Sequence, residues 1–359
     1  MNSINAVFKR SLIGEKLKMD RIIKVAVDAM GGDNAPGEIV KGAVEAANSE
    51  SRVKIYLCGK EPEIREELSK YEYNAESIEI VHCTEVIETA EPPVNAVRRK
   101  KDSSLVRAMY LVKEGECDAL VTAGSTGAFL VGGQIIVGRI KGIERPPLAT
   151  VIPTTKGISF LLDCGANVDA KPTAIVQFAQ MGSIYAENFL GIKNPTVGIV
   201  NIGAEEEKGN ALVKETFPLL KEAKGINFIG SCEARDVPYG GADVIVAEAF
   251  TGNIVLKMME GVSGALVKMI KKGLMSTFIS KIGALLSKKA LKKTLKIFDT
   301  ESYGGAPLLG CNGLLVKTHG SSSSVAIKNS ILQCVKFTDL DINGKIRDIL
   351  RAEEEENKE

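Results

Sequence analysis

Tryptophan is absent and only two histidines, His82 and His319, occur among the 359 residues. A His-rich metal centre is therefore excluded, and a Ser-His-Asp hydrolase would have to use one of these two imidazoles. No apolar run reaches the roughly 18 residues that a membrane-spanning helix needs. Neither sign of charge is in excess: 46 Lys and Arg face 45 Asp and Glu. That balance speaks against a chain whose overall field recruits nucleic acid. The seven cysteines, at 58, 83, 117, 164, 232, 311 and 334, include no C-x-x-C pair. Most lie in apolar runs such as Ile55-Tyr56-Leu57-Cys58, so they read as reduced core thiols. Also missing are the G-x-x-x-x-G-K-[ST] phosphate loop, the G-x-G-x-x-G dinucleotide fingerprint and the G-x-S-x-G nucleophile elbow.

What is present is an alternation. Apolar, β-branched runs at Ile22–Val27, Val53–Leu57, Ile78–Val81, Ala119–Thr122, Leu148–Ile152, Ile158–Leu162, Val197–Ile202, Asn227–Ile229, Val244–Ala247 and Leu314–Lys317 read as buried strands. Amphipathic stretches between them, Glu38–Asn48, Glu61–Lys70, Ser103–Glu114, Pro172–Asn188 and Asn210–Ala223, read as helices. The expected fold class is α/β, a mainly parallel sheet covered by helices. Ligands of such sheets bind at the carboxyl ends of the strands. His82, inside an apolar strand pattern, reads as a core residue.

Two further patterns stand out. Asp118-Ala-Leu-Val leading to Ser125-Thr126-Gly127 aligns without a gap with Asp243-Val-Ile-Val leading to Phe250-Thr251-Gly252, at an offset of 125 residues. The echo is either a coincidence of two βα units or a pair of equivalent backbone loops. Residues 253–298 carry ten lysines against one acid, Glu260. Leu274, Met275, Phe278, Ile279, Ile282, Leu285 and Leu286 crowd the middle of that segment. It reads as an amphipathic helical hairpin, packed on the core or a second subunit, or touching an anionic lipid surface with its apolar tip.

Five loops after strands carry chemistry: Asp28–Asn34, Thr122–Gly127, Asp163–Asn167, Asn201–Asn210 and Lys317–Ser324. Gly and Ser at helix starts suit anions, because unpaired N–H groups and the helix dipole face the ligand. Lys208 and His319 are placed to neutralise a phosphate or an oxyanion. Plain capping is the alternative for the Ser321–Ser324 run, though His and Lys beside it are not needed for a cap. Arg98-Arg99-Lys100-Lys101 is a solvated face or a docking patch for an acidic partner. Residues 1–21 are basic but lack the apolar core, about 7–15 residues long, of a secretory signal. They read as an extension or a misassigned start, with Met19 the alternative first residue.

Several of these segments occur together in one order: Val25–Asp33, Ala96–Lys101, Asp163–Pro172, Lys208–Asn210, Phe228–Gly230, Glu233–Asp236, Phe250–Asn253, Tyr303–Ala306 and His319–Ser322. In that order the chain resembles the PlsX family of bacterial phosphate acyltransferases, from about Ile22 to about Phe337. The resemblance implies a homodimer with a fold similar to isopropylmalate dehydrogenase and phosphotransacetylase. It implies transfer of a fatty acyl group from acyl-acyl-carrier protein to inorganic phosphate, without metal or organic cofactor. The product would feed a membrane glycerol-3-phosphate acyltransferase in phosphatidic acid synthesis. The expected setting is cytoplasmic, with peripheral attachment to the inner face of the membrane through the hairpin.

On this reading residues 22–337 form the catalytic domain, including the hairpin 253–298, and 338–359 a C-terminal helix and acidic tail. Lys208 is the first choice for stabilising phosphate and oxyanion, with His319 and Asn253 second. Asp28, Gly31, Gly32, Ser125, Thr126, Gly127, Asn167, Asn210, Gly252, Ser321 and Ser322 are the expected phosphate- and substrate-binding positions. Arg98, Arg99, Lys100 and Lys101 are expected to dock the carrier protein. Asn34 stands where family members commonly have His, so it receives no acid–base role. The rival readings are a metal- and NAD-dependent β-decarboxylating dehydrogenase, which would need clustered carboxylates and a cofactor pocket, and a non-enzymatic membrane-surface scaffold.

Overall fold

The computed structural model describes residues 21–295 and 300–356. The basic extension and Met19 lie outside the described residues. Two compact units divide the chain: the first runs to Lys141 and resumes over Tyr303–Arg351, and the second spans Gly142–Ser302 together with the residues from Ala352 on.

The first unit opens with β1 (Ile23–Asp28), α1 (Gly37–Ser49), β2 (Val53–Gly59), α2 (Glu61–Leu68), β3 (Ile78–His82), α3 (Pro93–Arg99), α4 (Ser104–Lys113), β4 (Ala119–Thr122) and α5 (Thr126–Gly132). The second contains β5 (Ala149–Thr154), β6 (Gly157–Leu162), α6 (Pro172–Tyr185), β7 (Thr196–Asn201), α7 (Ala211–Glu222), β8 (Asn227–Glu233), β9 (Val244–Val246), α8 (Ala249–Leu274) and α9 (Phe278–Leu295). The chain then returns to the first unit through β10 (Ala306–Leu308), β11 (Leu314–Lys317), α10 (Ser324–Asp339) and α11 (Ile342–Glu356).

Each unit has its own sheet. The orders are β10-β11-β4-β1-β2-β3 and β5-β6-β9-β7-β8. All pairings are parallel except β10 with β11 and β5 with β6. Central strands are apolar on both faces because helices cover both: in β1 every residue but Lys24 is buried, and β4 is buried throughout. Burying each Val, Ile or Leu of this kind contributes about 1.5–3 kcal/mol. Helix α1 presses on α10 so closely that a Cβ on Gly42 would lie 2.6 Å from Ile327 Cβ. In the second unit Phe160, Tyr185 and Phe189 stack in series, with centroids 4.4 and 4.7 Å apart.

The antiparallel edge strand β10 is not among the apolar runs of the sequence, because Gly304, Gly305 and Pro307 mask a strand of only three residues; proline is tolerated there because β10 is an edge. Two expectations need revision. His82 is exposed, not core: it ends β3, and its Nδ1 accepts the Glu61 N–H at 3.2 Å. The stretch Pro172–Asn188 is α-helical only to Tyr185 and closes in a π turn over Ala186–Leu190.

The internal echo is a shared construction. Asp118, entering β4, accepts the Lys24 N–H at 2.9 Å and so secures the start of β1. Asp243, entering β9, accepts the Thr196 N–H at 2.8 Å and secures the start of β7. In both units the strand then leads through a short loop into a Thr-Gly helix start.

Helices α8 and α9 form the hairpin, joined over 275–277, with the Thr277 hydroxyl oxygen accepting the Ser280 N–H at 3.1 Å. Met275, Phe278, Ile279, Ile282, Leu285 and Leu286 are exposed. So are Phe250, Ile254, Met258, Val262, Leu266 and Met269, which follow one face of α8 at intervals of three or four residues. Among the described residues no helix is long and apolar enough to cross a membrane. All seven cysteines are free and buried. Burial pushes the Cys232 thiol up to about 11, and those of Cys117 and Cys311 up to about 12, which makes them poor nucleophiles.

Candidate active site

In the first unit, β11, β4 and β1 are adjacent and parallel, so their three following loops emerge side by side. The chain leaves β1 toward β2 on one side and returns as β4 on the other, which makes this a topological switch point. The loops are bonded to one another. The Asp33 N–H donates to the Gly320 carbonyl at 2.7 Å, Asn34 Nδ2 to the Ser321 carbonyl at 3.3 Å, and the Thr318 N–H to the Thr122 carbonyl at 2.9 Å. Glycine is required at Gly31, where a Cβ would meet Asp28 Oδ2 at 2.3 Å and Gly124 N at 2.8 Å. Gly32 adds a φ of +107°, which a side chain would strain.

Asp28 lies beneath this layer, 2% exposed. Its Oδ2 accepts the Thr122 hydroxyl at 2.7 Å, and Thr122 Oγ1 accepts the Gly124 N–H at 2.9 Å. Burial raises its pKa above the ordinary carboxylate range, opposed in part by hydrogen bonds from Ser104, Thr122 and the Met30 backbone and by the charge of Lys317. Lys317 is itself buried and donates to the Thr318 carbonyl. His319 is exposed, and its Nδ1 lies 2.8 Å from Ser321 Oγ and 3.2 Å from the Ser321 N–H.

Ser125 is buried and caps α5 by accepting the Ala128 N–H, while Thr126 is exposed at the helix start. Ser322 is buried, and Ser323 is the N-cap residue of α10, though its side chain does not cap the helix. The first amide of α10, Ser324 N–H, goes to the Glu38 carboxylate at 2.6 Å. The end of α10 is therefore already supplied with a carboxylate, and the groups facing solvent are those of His319–Ser321. A Cβ on Gly127 would meet Pro93 Cγ at 2.4 Å, so the start of α3 packs on the start of α5. Arg98, Arg99 and Lys101 project to solvent from the end of α3 and beyond. Lys100 is engaged instead, donating to Glu91 Oε1 and to the Val86 carbonyl, both at 2.6 Å.

In the second unit, the central strand β9 lies between β6 and β7, and the loops after all three carry the expected positions. Asp163 is fully buried and accepts five N–H groups: backbone Leu148, Gly165, Ala166 and Asn167 at 2.8–3.1 Å, and Asn167 Nδ2 at 2.7 Å. Burial raises its pKa; the donors oppose that. Asn167 is thus committed to holding the loop, with a second bond from Nδ2 to the Pro146 carbonyl at 2.8 Å. Gly252 lets α8 reach the same loop, since a Cβ there would lie 1.9 Å from the Asp163 carbonyl oxygen. Glu248 caps α8, accepting the Phe250 and Thr251 N–H groups at 2.5 and 3.0 Å. Asn253 is exposed on the first turn.

Lys208 is exposed in the loop after β7 and pairs with Glu205 at 2.7 Å. The Glu205 carboxylate holds its pKa above the ordinary lysine range. Its backbone is pinned by Asn201, whose Nδ2 donates to the Lys208 carbonyl at 3.1 Å and to Ser231 Oγ at 3.0 Å. Asn210 caps α7 by accepting the Val213 N–H at 2.9 Å. Among the described residues no three His, Cys, Asp or Glu are grouped to hold a metal ion.

The structure thus gathers Asp28, Gly31, Gly32, Ser125, Thr126, Gly127, His319, Ser321 and Ser322 at one sheet edge of the first unit. It gathers Asn167 and Gly252 around Asp163 in the second, with Asn253 next along α8 and with Lys208 and Asn210 on the neighbouring β7 loop. Thr122, Asn201 and Glu248 organise these loops and were not singled out from the sequence. Each is a polar residue at or just past the end of a buried strand, which is the signal that would have found them.

Residues 23–345 match the family model described as fatty acid synthesis protein. The chain belongs to this family. Phosphate acyltransferases of Alkaliphilus oremlandii and Clostridium perfringens are among its relatives. The first is 52% identical over 88% of this chain and 94% of its own length. The second is 50% identical over 90% and 96%. Solved structures of similar fold include a phosphotransacetylase from Streptococcus pyogenes, TM-score 0.56 at 18% identity, covering 91% of this chain and 98% of that one. Another is EutD phosphotransacetylase from Staphylococcus aureus, TM-score 0.55 at 15% identity, covering 93% and 98%. The phosphotransacetylase-like fold and the family implied by the sequence are therefore the ones observed. The family's matched span takes in every loop described above.

Proposed function

We propose that the chain transfers a fatty acyl group from acyl-acyl-carrier protein to inorganic phosphate, releasing acyl-phosphate for phosphatidic acid and phospholipid synthesis. The observation that carries this reading is about 50% identity to phosphate acyltransferases over nearly their whole length. A phosphate oxygen attacks the thioester carbonyl carbon and forms the new C–O bond. The tetrahedral oxyanion then collapses, the C–S bond breaks, and the leaving thiolate takes the proton released by phosphate. No enzyme nucleophile is needed, consistent with buried thiols of raised pKa.

Lys208, kept cationic by Glu205, is assigned to phosphate and oxyanion stabilisation, supported by His319 and Asn253. Donors positioned before the reaction lower the barrier without reorganisation. Within the first unit, the glycine-lined loops offer backbone N–H groups suited to an anion. Exposed Arg98, Arg99 and Lys101 form the docking patch for an acidic carrier protein, and Lys100 supports it structurally through Glu91. The exposed apolar stripe of α8 and the α9 residues beside the turn serve self-association and attachment to an anionic membrane surface, near a membrane acyltransferase that consumes the product.

The testing experiment presents one acyl chain on carrier protein and on coenzyme A, with phosphate as acceptor. Carrier-protein preference that collapses in the Arg98→Glu/Arg99→Glu variant supports the reading; equal use of both donors by the parent protein refutes the donor assignment.

A further inference from the structure

We infer that His319 works as a neutral hydrogen-bond donor through Nε2, and that Ser321 is the positioning residue that sets this tautomer. A backbone N–H can only donate. The Ser321 N–H points at His319 Nδ1 at 3.2 Å, so Nδ1 must present its lone pair. A proton on Nδ1 would face that N–H head-on. The Ser321 hydroxyl, 2.8 Å from the same nitrogen, can rotate to donate as well. A neutral imidazole carries one proton, and with Nδ1 accepting it resides on Nε2.

This assignment separates roles that the residue type alone leaves open. With its proton on Nε2, the neutral ring cannot accept a proton there, so His319 is not the base for phosphate. It can donate to an oxygen that is already negative or becomes so, a phosphate oxygen or the thioester oxyanion. A neutral imidazole used this way polarises without first taking up a proton. The surroundings fit such a donor. His319 is exposed and follows buried Lys317, the last residue of β11, and buried Thr318, and the Asp33 N–H fixes the next carbonyl, Gly320, at 2.7 Å. The amide of Ser321 is thereby committed to the imidazole and is not an anion donor. The choice of acceptor oxygen rests on the acyl-transfer reading; the tautomer does not.

The two-histidine composition makes the test direct. The full chain, labelled with ¹⁵N, is observed by long-range ¹H–¹⁵N correlation in alkaline solution, where imidazoles are neutral. The His82→Gln variant assigns the signals, since His82 Nδ1 also accepts a backbone N–H. His319 is expected to show an unprotonated Nδ1 and a protonated Nε2, unchanged in Ser321→Ala, which keeps the N–H. A protonated Nδ1, or averaging of both tautomers, overturns the assignment. Turnover gives the second arm: His319→Ala is expected to lose on the order of a hundredfold in kcat. His319→Gln, whose amide reaches the Nε2 position, should recover more than His319→Asn, whose amide reaches the Nδ1 position. The reverse order contradicts donation from Nε2. Failure of the parent protein to transfer acyl groups at all would reject the functional reading and leave the spectroscopic result to decide the tautomer.

Discussion

The Thr122 hydroxyl bridges Asp28 and Gly124, donating to the buried carboxylate at 2.7 Å and accepting the glycine N–H at 2.9 Å. One side chain thus joins the loops after β1 and β4. Thr122→Val keeps the shape and removes both bonds, at a cost of about 1–3 kcal/mol. The expected outcome is a lower Tm together with a raised phosphate KM, both restored by Thr122→Ser. A valine variant with the parent's Tm and KM would show that the bridge holds nothing.

The pH dependence of stability reports on Asp28 itself. Burial raises its pKa in the folded state, so the native chain keeps this proton to higher pH than the unfolded chain does. Between the ordinary carboxylate value and the raised one, the native state binds more protons, and stability therefore falls as pH rises. Asp28→Asn removes that loss. Thermal melts from mildly acidic to neutral pH should show the variant gaining on the parent protein as pH increases. Parallel curves would contradict a raised value.

Gly252 meets a harder constraint. Its substitution by Ala places a methyl 1.9 Å from the Asp163 carbonyl oxygen, and a backbone atom cannot step aside as a flexible side chain can. The start of α8 must shift, at a cost of about 1–3 kcal/mol or more. The Tm of Gly252→Ala should fall accordingly, whereas Gly261→Ala, on the same helix with open space around it, should not lose stability. Equal effects at the two positions would argue against the close approach.

Much of this was legible in the sequence because a buried parallel strand needs a continuous apolar run. Ala119–Thr122 and Leu314–Lys317 have the bounds read from the residues alone. The strand-end loops were visible for the same reason. Which loop residues face solvent was not, because that depends on partners far away in sequence. Asp28 is an acid beside two glycines and reads as a ligand, yet Thr122, 94 positions on, draws it beneath the surface. The Ser321–Ser324 run reads as an anion site, yet Glu38 reaches its helix from 286 residues away. Lys100 is one of four consecutive cations, and only the fold reveals that Glu91 holds it.

The hairpin offers a test of surface attachment. Phe278 and Ile282 are exposed on the first turns of α9, so Phe278→Glu/Ile282→Glu should leave the fold and the state of association unchanged. It should abolish sedimentation with anionic vesicles, and salt should weaken binding of the parent chain, since each lysine near such a surface adds about 1 kcal/mol. Loss of self-association in the double variant, with no vesicle binding by the parent, would identify these residues as a subunit interface.

The most direct measurement is the fate of phosphate. Purified protein is incubated with a fatty acyl-carrier thioester and inorganic phosphate, and acyl-phosphate is followed by ³¹P spectroscopy alongside release of thiol. The account predicts equimolar acyl-phosphate and thiol, neither forming without phosphate, with Lys208→Ala reducing both sharply while its Tm is retained. An intact thioester, or release of free fatty acid at a rate indifferent to phosphate, would contradict it.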